Sequence, residues 1–392
     1  MYIAILGRQP AIGMAELECV FGDVRWFSDQ SAVISSATPV NIERLGGTLK
    51  VGRVVAELPR ADWRQASMKL VRAYANAWAD RDGKVTVGIS AYGFDVRASD
   101  IQKTGIILKR KLKDSGVSMR LIPNAEPVLN TATSHHNKLG LSDNKIELLV
   151  VRARNGKVMI AESVGAQNIT ALARRDQERP KRDAFVGMLP PKLAQIMTNL
   201  ATASVVSSPG MTPTLLDPFC GTGVLLQEAL LLGYNVVGTD LSDKMVDYSR
   251  INLDWIKTIS HVDSSFTVTQ GDAMSTTWPA PIDVVACETY LGQPFSAPPS
   301  PSKLAEVRGN CNHIVSTFLT NIGHQLTAGT PLCVAVPAWR ATDGSFTHLP
   351  LVANPTQLGY DQVQLKNVRS SELLYYREDQ VVARELLLLT KK

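Results

Sequence analysis

The sequence has few cysteines, no long uncharged apolar run and no basic N-terminal leader, and each shortage excludes a class of protein. Its 392 residues include five cysteines, none spaced as C-x-x-C, which argues against a zinc site or a disulfide framework. No apolar run approaches the roughly 20 residues that cross a bilayer, and no signal peptide is recognisable. We therefore expect a cytoplasmic protein with no metal and no membrane partner.

Charged residues are few, and the net charge is small. Charged residues make up 20% of the chain and the formal net charge is only +5. A balance of this kind permits a polyanionic partner such as nucleic acid but does not require one. The length exceeds that of a single ordinary core, so we expect two or three domains.

The most informative stretch is an apolar run followed by a glycine turn and an apolar helical pattern. The run Thr214–Leu216 leads into Asp217–Gly223, DPFCGTG, and the helical pattern Val224–Leu232 follows. A strand, tight turn and helix in this order bring backbone N–H groups and a helix N-terminus to a bound ligand. A purely structural turn remains the alternative, because Gly-x-Gly alone is a weak signal.

The residues around the turn favour one ligand over another. A second short strand ends at Asp240, where a carboxylate can hold the hydroxyls of a ribose. The third glycine of a dinucleotide-binding turn would fall at position 226, which is Leu226. Asp217 would repel a pyrophosphate but suits a cationic group. The pattern therefore favours S-adenosylmethionine over NAD.

Two further acidic residues follow predicted strands. Asp272 comes after the strand Phe266–Thr269, and Glu288 comes after the strand Ile282–Ala286. Strands alternating with helices predict an α/β fold with a doubly wound, mainly parallel sheet, and a C-terminal antiparallel hairpin closes it. Ligands bind at the carboxyl ends of such strands, where all four acidic residues are expected.

Several segments resemble one known family. DPFCGTG resembles motif I of methyltransferases that modify exocyclic amines in RNA. The resemblance extends to Arg175-Asp176, to Arg179–Ala201, to the opening residues YIAILGRQPAIGMAELECVFG and to the C-terminal LLYYREDQVVARE. Together these segments resemble the THUMP-domain tRNA guanine methyltransferases, which methylate the 2-amino group of a guanosine.

The resemblance implies a domain order and a set of cofactor contacts. It implies a ferredoxin-like α+β domain at 1–65, a THUMP-like RNA-binding domain at 66–166, a linker at 167–186 and a Rossmann-like class I methyltransferase domain at 187–392. The protein would be a monomer acting in tRNA processing. The residues expected to bind S-adenosylmethionine are Asp217, Pro218, Cys220, Gly221, Gly223, Asp240, Leu241, Asp272 and Ala273.

The expected catalytic motif departs from the family pattern. The family has an acidic or amide residue, two prolines and a tyrosine after the fourth strand, whereas this chain has Glu288-Thr289-Tyr290-Leu291. We expect Glu288 to accept a hydrogen bond from the target amine and Tyr290 to stack on the flipped base. A catalytically inactive tRNA-binding protein of the same fold is the alternative, and an enzyme acting on another amine is a third.

The expected RNA-binding residues lie on a helical pattern over Ile101–Leu112. Its polar face includes Lys109, Arg110 and nearby Lys113. A solvated surface helix is the simpler interpretation. As implied by the resemblance, the same cations would contact tRNA phosphates.

Overall fold

The computed structural model describes residues 1–183, 189–203, 205 and 211–392. The chain forms two compact units. The first comprises Met1–Pro10 and Phe21–Thr170, and the second comprises Ala11–Val20 and Ala171–Lys392. The expected start of the methyltransferase domain, Gly187, lies outside the described residues. The four-part domain division therefore stays a prediction.

The first unit is built on one sheet. Within residues 1–170, all of which are described, eight strands join in the order β2-β3-β1-β4-β8-β7-β5-β6. The strands are β1 Tyr2–Leu6, β2 Val24–Ser28, β3 Ser31–Ile34, β4 Thr48–Leu58, β5 Val85–Tyr92, β6 Met119–Leu121, β7 Lys145–Arg152 and β8 Val158–Ala166. Because β4 pairs with β8, the sheet has no break at the expected domain boundary near residue 65.

Two helices cover one face of this sheet. The helices up to residue 170 are α1 Pro10–Phe21, α2 Trp63–Ala77, α3 Ala98–Asp114 and α4 Thr131–His136. Leu70 of α2 and Leu108 of α3 pack in one apolar cluster with Leu148 of β7. Leu149, the next residue of β7, belongs to a separate cluster, because successive side chains of a strand point to opposite faces. Most of α1 groups with the second unit.

The second unit contains a mainly parallel sheet. Its remaining helices are α5 Ile169–Gln177, α6 Pro191–Ala201, α7 Val224–Leu231, α8 Asp243–Ser260 and α9 Pro301–Gly323. Its strands are β9 Thr214–Asp217, β10 Asn235–Asp240, β11 Phe266–Gln270, β12 Val284–Glu288, β13 Pro331–Arg340, β14 Phe346–Thr347, β15 Tyr360–Gln362, β16 Leu374–Tyr375 and β17 Val382–Lys391. The expected linker thus contains the helix α5.

The sheet order explains where a ligand can bind. Its main path among the described residues is β11-β10-β9-β12-β13-β17-β15. The strands from β11 to β13 are parallel to their neighbours, whereas β17 is antiparallel to β13 and pairs with β16. The expected parallel sheet and terminal hairpin are therefore confirmed. The strand order reverses between β9 and β12, and ligands in open sheets bind at such a point.

Apolar packing fixes the helices that flank this point. Phe318 and Ile322 of α9 are fully buried against Val285 of β12 and Val334 of β13. Helix α7 is buried along seven consecutive residues, Val224–Leu230, as its apolar sequence predicts. In the described part of the chain, no helix has the length and apolar character needed to cross a bilayer.

A buried ion pair lies inside the first unit. Lys50 of β4 pairs with Glu147 of β7, and both side chains are almost fully buried. The Lys50 ammonium also donates to the carbonyl of Leu129 at 2.6 Å, while Ser134 of α4 donates to Glu147 at 2.6 Å. Burial lowers the pKa of Lys50, and Glu147 opposes that effect. The network joins two strands to the segment that carries α4.

Replacing one partner of this pair is expected to destabilise the first unit strongly. Lys50→Met leaves the Glu147 carboxylate buried without its cation, which typically costs about 3–5 kcal/mol. The control Lys103→Met removes an exposed pair with Asp100 and is expected to cost less than about 1 kcal/mol. Amide hydrogen exchange of β7 measures both changes. Equal protection of the β7 amides in the two variants would contradict a stabilising role for the buried ion pair of Lys50 and Glu147.

Candidate active site

Four acidic residues lie along one edge of the parallel sheet. Asp217 is the last residue of β9, Asp240 of β10 and Glu288 of β12, while Asp272 follows the end of β11 by two residues. These strands are consecutive neighbours in the sheet, so their carboxyl ends meet at the same edge. The prediction that each acidic residue follows a strand is confirmed.

The glycine turn after β9 has the left-handed backbone that glycine permits. Gly221 has φ 51° and Gly223 has φ 81°, and Gly223 is the residue that precedes α7. A Cβ at Gly223 would lie 2.9 Å from the Ser249 hydroxyl. Buried Cys220 donates its N–H to the Thr239 carbonyl at 2.9 Å, and the Pro218 carbonyl accepts from the Thr239 hydroxyl at 3.2 Å. These bonds hold the turn against the end of β10.

The Asp240 carboxylate joins the turn to the start of α8. Its Oδ2 accepts from the Gly221 N–H at 3.0 Å, and its Oδ1 accepts from the Ser242 N–H at 2.9 Å. Each oxygen keeps a further lone pair, because a carboxylate has about four acceptor positions. The side chain is thus oriented by the backbone and retains capacity for a ligand hydroxyl.

Asp217 lies deeper than the other acidic residues. It is 2% exposed, and one of its oxygens accepts from the Phe219 N–H at 3.0 Å. Burial raises the pKa of Asp217 well above its usual value, the Phe219 hydrogen bond opposes this, and the nearby charges of Asp240 and Glu288 raise it further. A buried carboxyl group in this position is stabilised in its charged form by a cation.

An apolar side chain lies next to this acidic edge. Leu241 directly follows Asp240 and is 70% exposed. In the loop after the neighbouring strand β11, Asp272 accepts from the Met274 N–H at 2.9 Å, while buried Ala273 accepts through its carbonyl from Asn321 of α9 at 3.0 Å. The apolar side chain of Leu241 can pack on the face of a planar heterocycle, while the polar groups beside it can form hydrogen bonds with the edge of the ring.

Glu288 has a partner that the sequence did not indicate. The Nε of Arg384, on β17, donates to Glu288 Oε1, and both side chains are largely buried. Tyr290 follows two residues after Glu288 and is 45% exposed. Intervening Thr289 is buried and donates to the Ala335 carbonyl through both its N–H and its hydroxyl. The segment after β12 is therefore fixed on β13.

Two further cations in the expected linker have partners in the second unit, Arg179 being buried and Arg175 half-buried. Arg175 of α5 pairs with fully buried Glu228 of α7 at 2.8 Å. Arg179 is 4% exposed and donates to the Thr222 hydroxyl, within the glycine turn, at 3.3 Å. Burial lowers the pKa of Arg179. Through these two side chains the expected linker contacts α7 and the glycine turn.

The expected RNA-binding residues lie in the first unit. Lys109, Arg110 and Lys113 are exposed on α3, opposite its buried face. The acidic edge belongs to the second unit. Over the described ranges, no group of three or more His, Cys, Asp or Glu side chains has the arrangement of a metal site.

Adding one methyl group to the turn is expected to destabilise the second unit. Gly223→Ala places an L-residue at φ 81° and a Cβ against Ser249. Gly233 is the matched control, since its φ is 95° and nothing lies within 4 Å of its added Cβ. The left-handed backbone costs an L-residue about 1–2 kcal/mol at both positions. The contact of the added Cβ with Ser249 costs about 1–3 kcal/mol more at Gly223 alone. Urea unfolding monitored by amide hydrogen exchange of β9 and α7 measures the difference. Equal losses would show that Ser249 does not limit the turn.

Comparison with protein families supports a methyltransferase domain in the second unit. Residues 179–297 match the UPF0020 family, described as an RMKL-like methyltransferase domain. Over its whole length the chain is also similar to the crystal structure of TrmN from Thermus thermophilus, with a TM-score of 0.54 and 16% identity, covering 100% of this chain and 99% of that one. At this identity the likeness concerns the fold.

Curated relatives align over shorter stretches. A tRNA (guanine(10)-N2)-dimethyltransferase from Methanothermobacter thermautotrophicus is 30% identical over 164 residues, 41% of this chain and 43% of that protein. The enzyme of the same name from Pyrococcus abyssi is 43% identical over 67 residues, 17% of this chain and 18% of that protein. The chain thus aligns with less than half of either relative. The acidic edge and the glycine turn both lie within residues 179–297, the range that matches the methyltransferase family model.

Proposed function

We propose that this protein is an S-adenosylmethionine-dependent tRNA methyltransferase that transfers methyl to the exocyclic 2-amino group of a guanosine. One observation carries the proposal. A buried carboxyl group, Asp217, lies between Asp240 and Glu288 at the carboxyl edge of a methyltransferase domain. The names of the aligned relatives supply the substrate class.

The chemistry of the edge fits S-adenosylmethionine. This cofactor carries an ammonium, a sulfonium and a ribose but no phosphate, and three neighbouring carboxylates favour positive charge. Asp217 has only one hydrogen bond to a described residue, so it can still pair with a cation. The left-handed turn at Gly221 and Gly223 leaves the approach to the backbone free of Cβ atoms.

We assign the cofactor contacts by their surroundings. Asp240 holds the ribose hydroxyls with the acceptor positions that Gly221 and Ser242 leave unused. Asp217 faces the amino-acid end. The adenine binds between exposed Leu241 and the polar groups of Asp272. The backbone around this ligand is shaped by Pro218, Cys220, Gly221, Gly223 and Ala273.

The chain then orients the amine that is methylated. When bound, the cofactor supplies an electrophilic methyl group. Glu288 accepts a hydrogen bond from an N–H of the amine and thereby directs the nitrogen lone pair. Tyr290, exposed beside the strand end, borders the flipped base and stacks on it, a contact worth roughly 1–3 kcal/mol.

The first unit supplies the tRNA contacts in this proposal. Lys109, Arg110 and Lys113 form an exposed cationic patch on α3, suited to phosphates. The division into a ferredoxin-like and a THUMP-like part, and a monomeric state, belong to the same proposal. A reducing cytoplasm fits the five cysteines, all of which are free thiols.

Methyl transfer to tRNA by the purified full-length chain tests the proposal. After reaction with labelled S-adenosylmethionine, nucleoside mass spectrometry is expected to detect guanosine methylated on its 2-amino group. Asp240→Ala is expected to lower cofactor affinity by about 10- to 100-fold, because a charge-assisted hydrogen bond is lost. Asp254→Ala, at an exposed position of α8, serves as the control and leaves the affinity unchanged.

Three results would contradict the proposal in different ways. Failure of the purified chain to bind S-adenosylmethionine would refute the whole proposal. A chain that binds the cofactor and methylates a different nucleoside overturns the guanosine assignment. A chain that binds cofactor and tRNA without transfer, while a variant carrying Asp-Pro-Pro-Tyr across positions 288–291 does transfer, identifies a catalytically inactive tRNA-binding protein.

A further inference from the structure

An arginine from the C-terminal strand reaches the expected position of the substrate amine. Arg384 of β17 is in register with Pro337 of β13, whereas Glu288 of β12 is in register with Ala335 of β13. The Arg384 side chain therefore extends across β13 to reach Glu288. The exposed fractions of the two side chains are 12% for Arg384 and 15% for Glu288, so the pair lies in a protected recess at the edge.

The pair leaves hydrogen-bonding capacity on both sides. Glu288 Oε1 accepts from Arg384 Nε. In the described part of the chain, Glu288 Oε2 and the two Nη groups of Arg384 have no hydrogen-bond partner. A guanidinium presents its donors in one rigid plane, unlike a flexible ammonium. The recess thus presents a free acceptor and free donors from a single ion pair.

This combination matches one edge of guanine. The 2-amino group is a donor, and the adjacent ring nitrogen N3 is an unprotonated acceptor. A carboxylate beside a guanidinium is complementary to such a donor–acceptor pair.

We propose that Glu288 and Arg384 together bind the edge of the target base, with Glu288 accepting from the exocyclic amine and Arg384 donating to the neighbouring unprotonated ring nitrogen. The inference rests on the proposed function and deepens it. Arg384 is then a substrate-contacting residue that determines specificity. It also keeps Glu288 in place, because their hydrogen bond fixes the carboxylate plane.

The test combines a protein variant with a substrate analogue. Two tRNA transcripts are compared, one with guanosine and one with 3-deazaguanosine, which replaces N3 by C–H and keeps the amine. For the wild type, kcat/KM is expected to fall by roughly 10- to 100-fold on the analogue, as for a lost hydrogen bond to a charged group. Arg384→Gln is expected to show a similar loss on the guanosine transcript and no further loss on the analogue.

Controls separate substrate contact from structural damage. Arg369→Gln removes an exposed arginine whose Nε also pairs with a glutamate, Glu372, and is expected to retain wild-type kcat/KM on both transcripts. Arg384→Lys keeps the charge but loses the planar fork. It is expected to retain cofactor affinity, measured by calorimetry, while losing most of the discrimination between the transcripts.

The outcomes are distinct. Equal wild-type activity on the two transcripts overturns the inference without any variant and leaves the proposed function intact. If Arg384→Gln loses kcat/KM on the guanosine transcript and loses it again on the analogue by the full wild-type factor, the two losses are independent. Arg384 then only positions Glu288, and the contact with N3 is overturned. Wild type that transfers methyl to neither transcript overturns the proposed function and the inference together.

Discussion

The second unit depends on holding several carboxylates at one edge of a sheet without letting their repulsion unfold it. Burial raises the pKa of Asp217, and Asp240 and Glu288 raise it further. Each acidic residue is held by different donors. The backbone N–H of Phe219 holds Asp217, those of Gly221 and Ser242 hold Asp240, that of Met274 holds Asp272, and the side chain of Arg384 holds Glu288. The charge is thus distributed over the backbone and one guanidinium, and a cationic ligand completes the balance.

Distant segments are needed to build this edge. Residues 179–297 match the family model, yet Arg384 lies outside that range and reaches the site only because β17 pairs with β13. On the other side, Arg175 neutralises Glu228 inside α7, the helix that follows the glycine turn. The site is therefore a property of the whole second unit, and removal of the C-terminal strand removes the partner of Glu288.

The sequence predicted the parallel sheet, the terminal hairpin and the positions of Asp217, Asp240, Asp272 and Glu288, because strand periodicity and glycine turns are local signals. It did not predict the pairing of Glu288 with Arg384, since 96 residues separate them and no local pattern links them. Burial of Arg179 was missed for a similar reason. A charged segment resembles a solvated linker until tertiary contacts cover it.

The central claim is that buried Asp217 receives a cationic cofactor, and the protons released on binding test it most directly. Calorimetry of S-adenosylmethionine binding in buffers of different ionisation enthalpy, from about pH 5 to 7, keeps the cofactor's own α-amino group protonated. Since the pKa of Asp217 is raised in the free protein and a cation lowers it, we expect the wild type to release protons on binding and Asp217→Asn to release none from this position. A binding heat that does not depend on the buffer at any of these pH values would contradict the account.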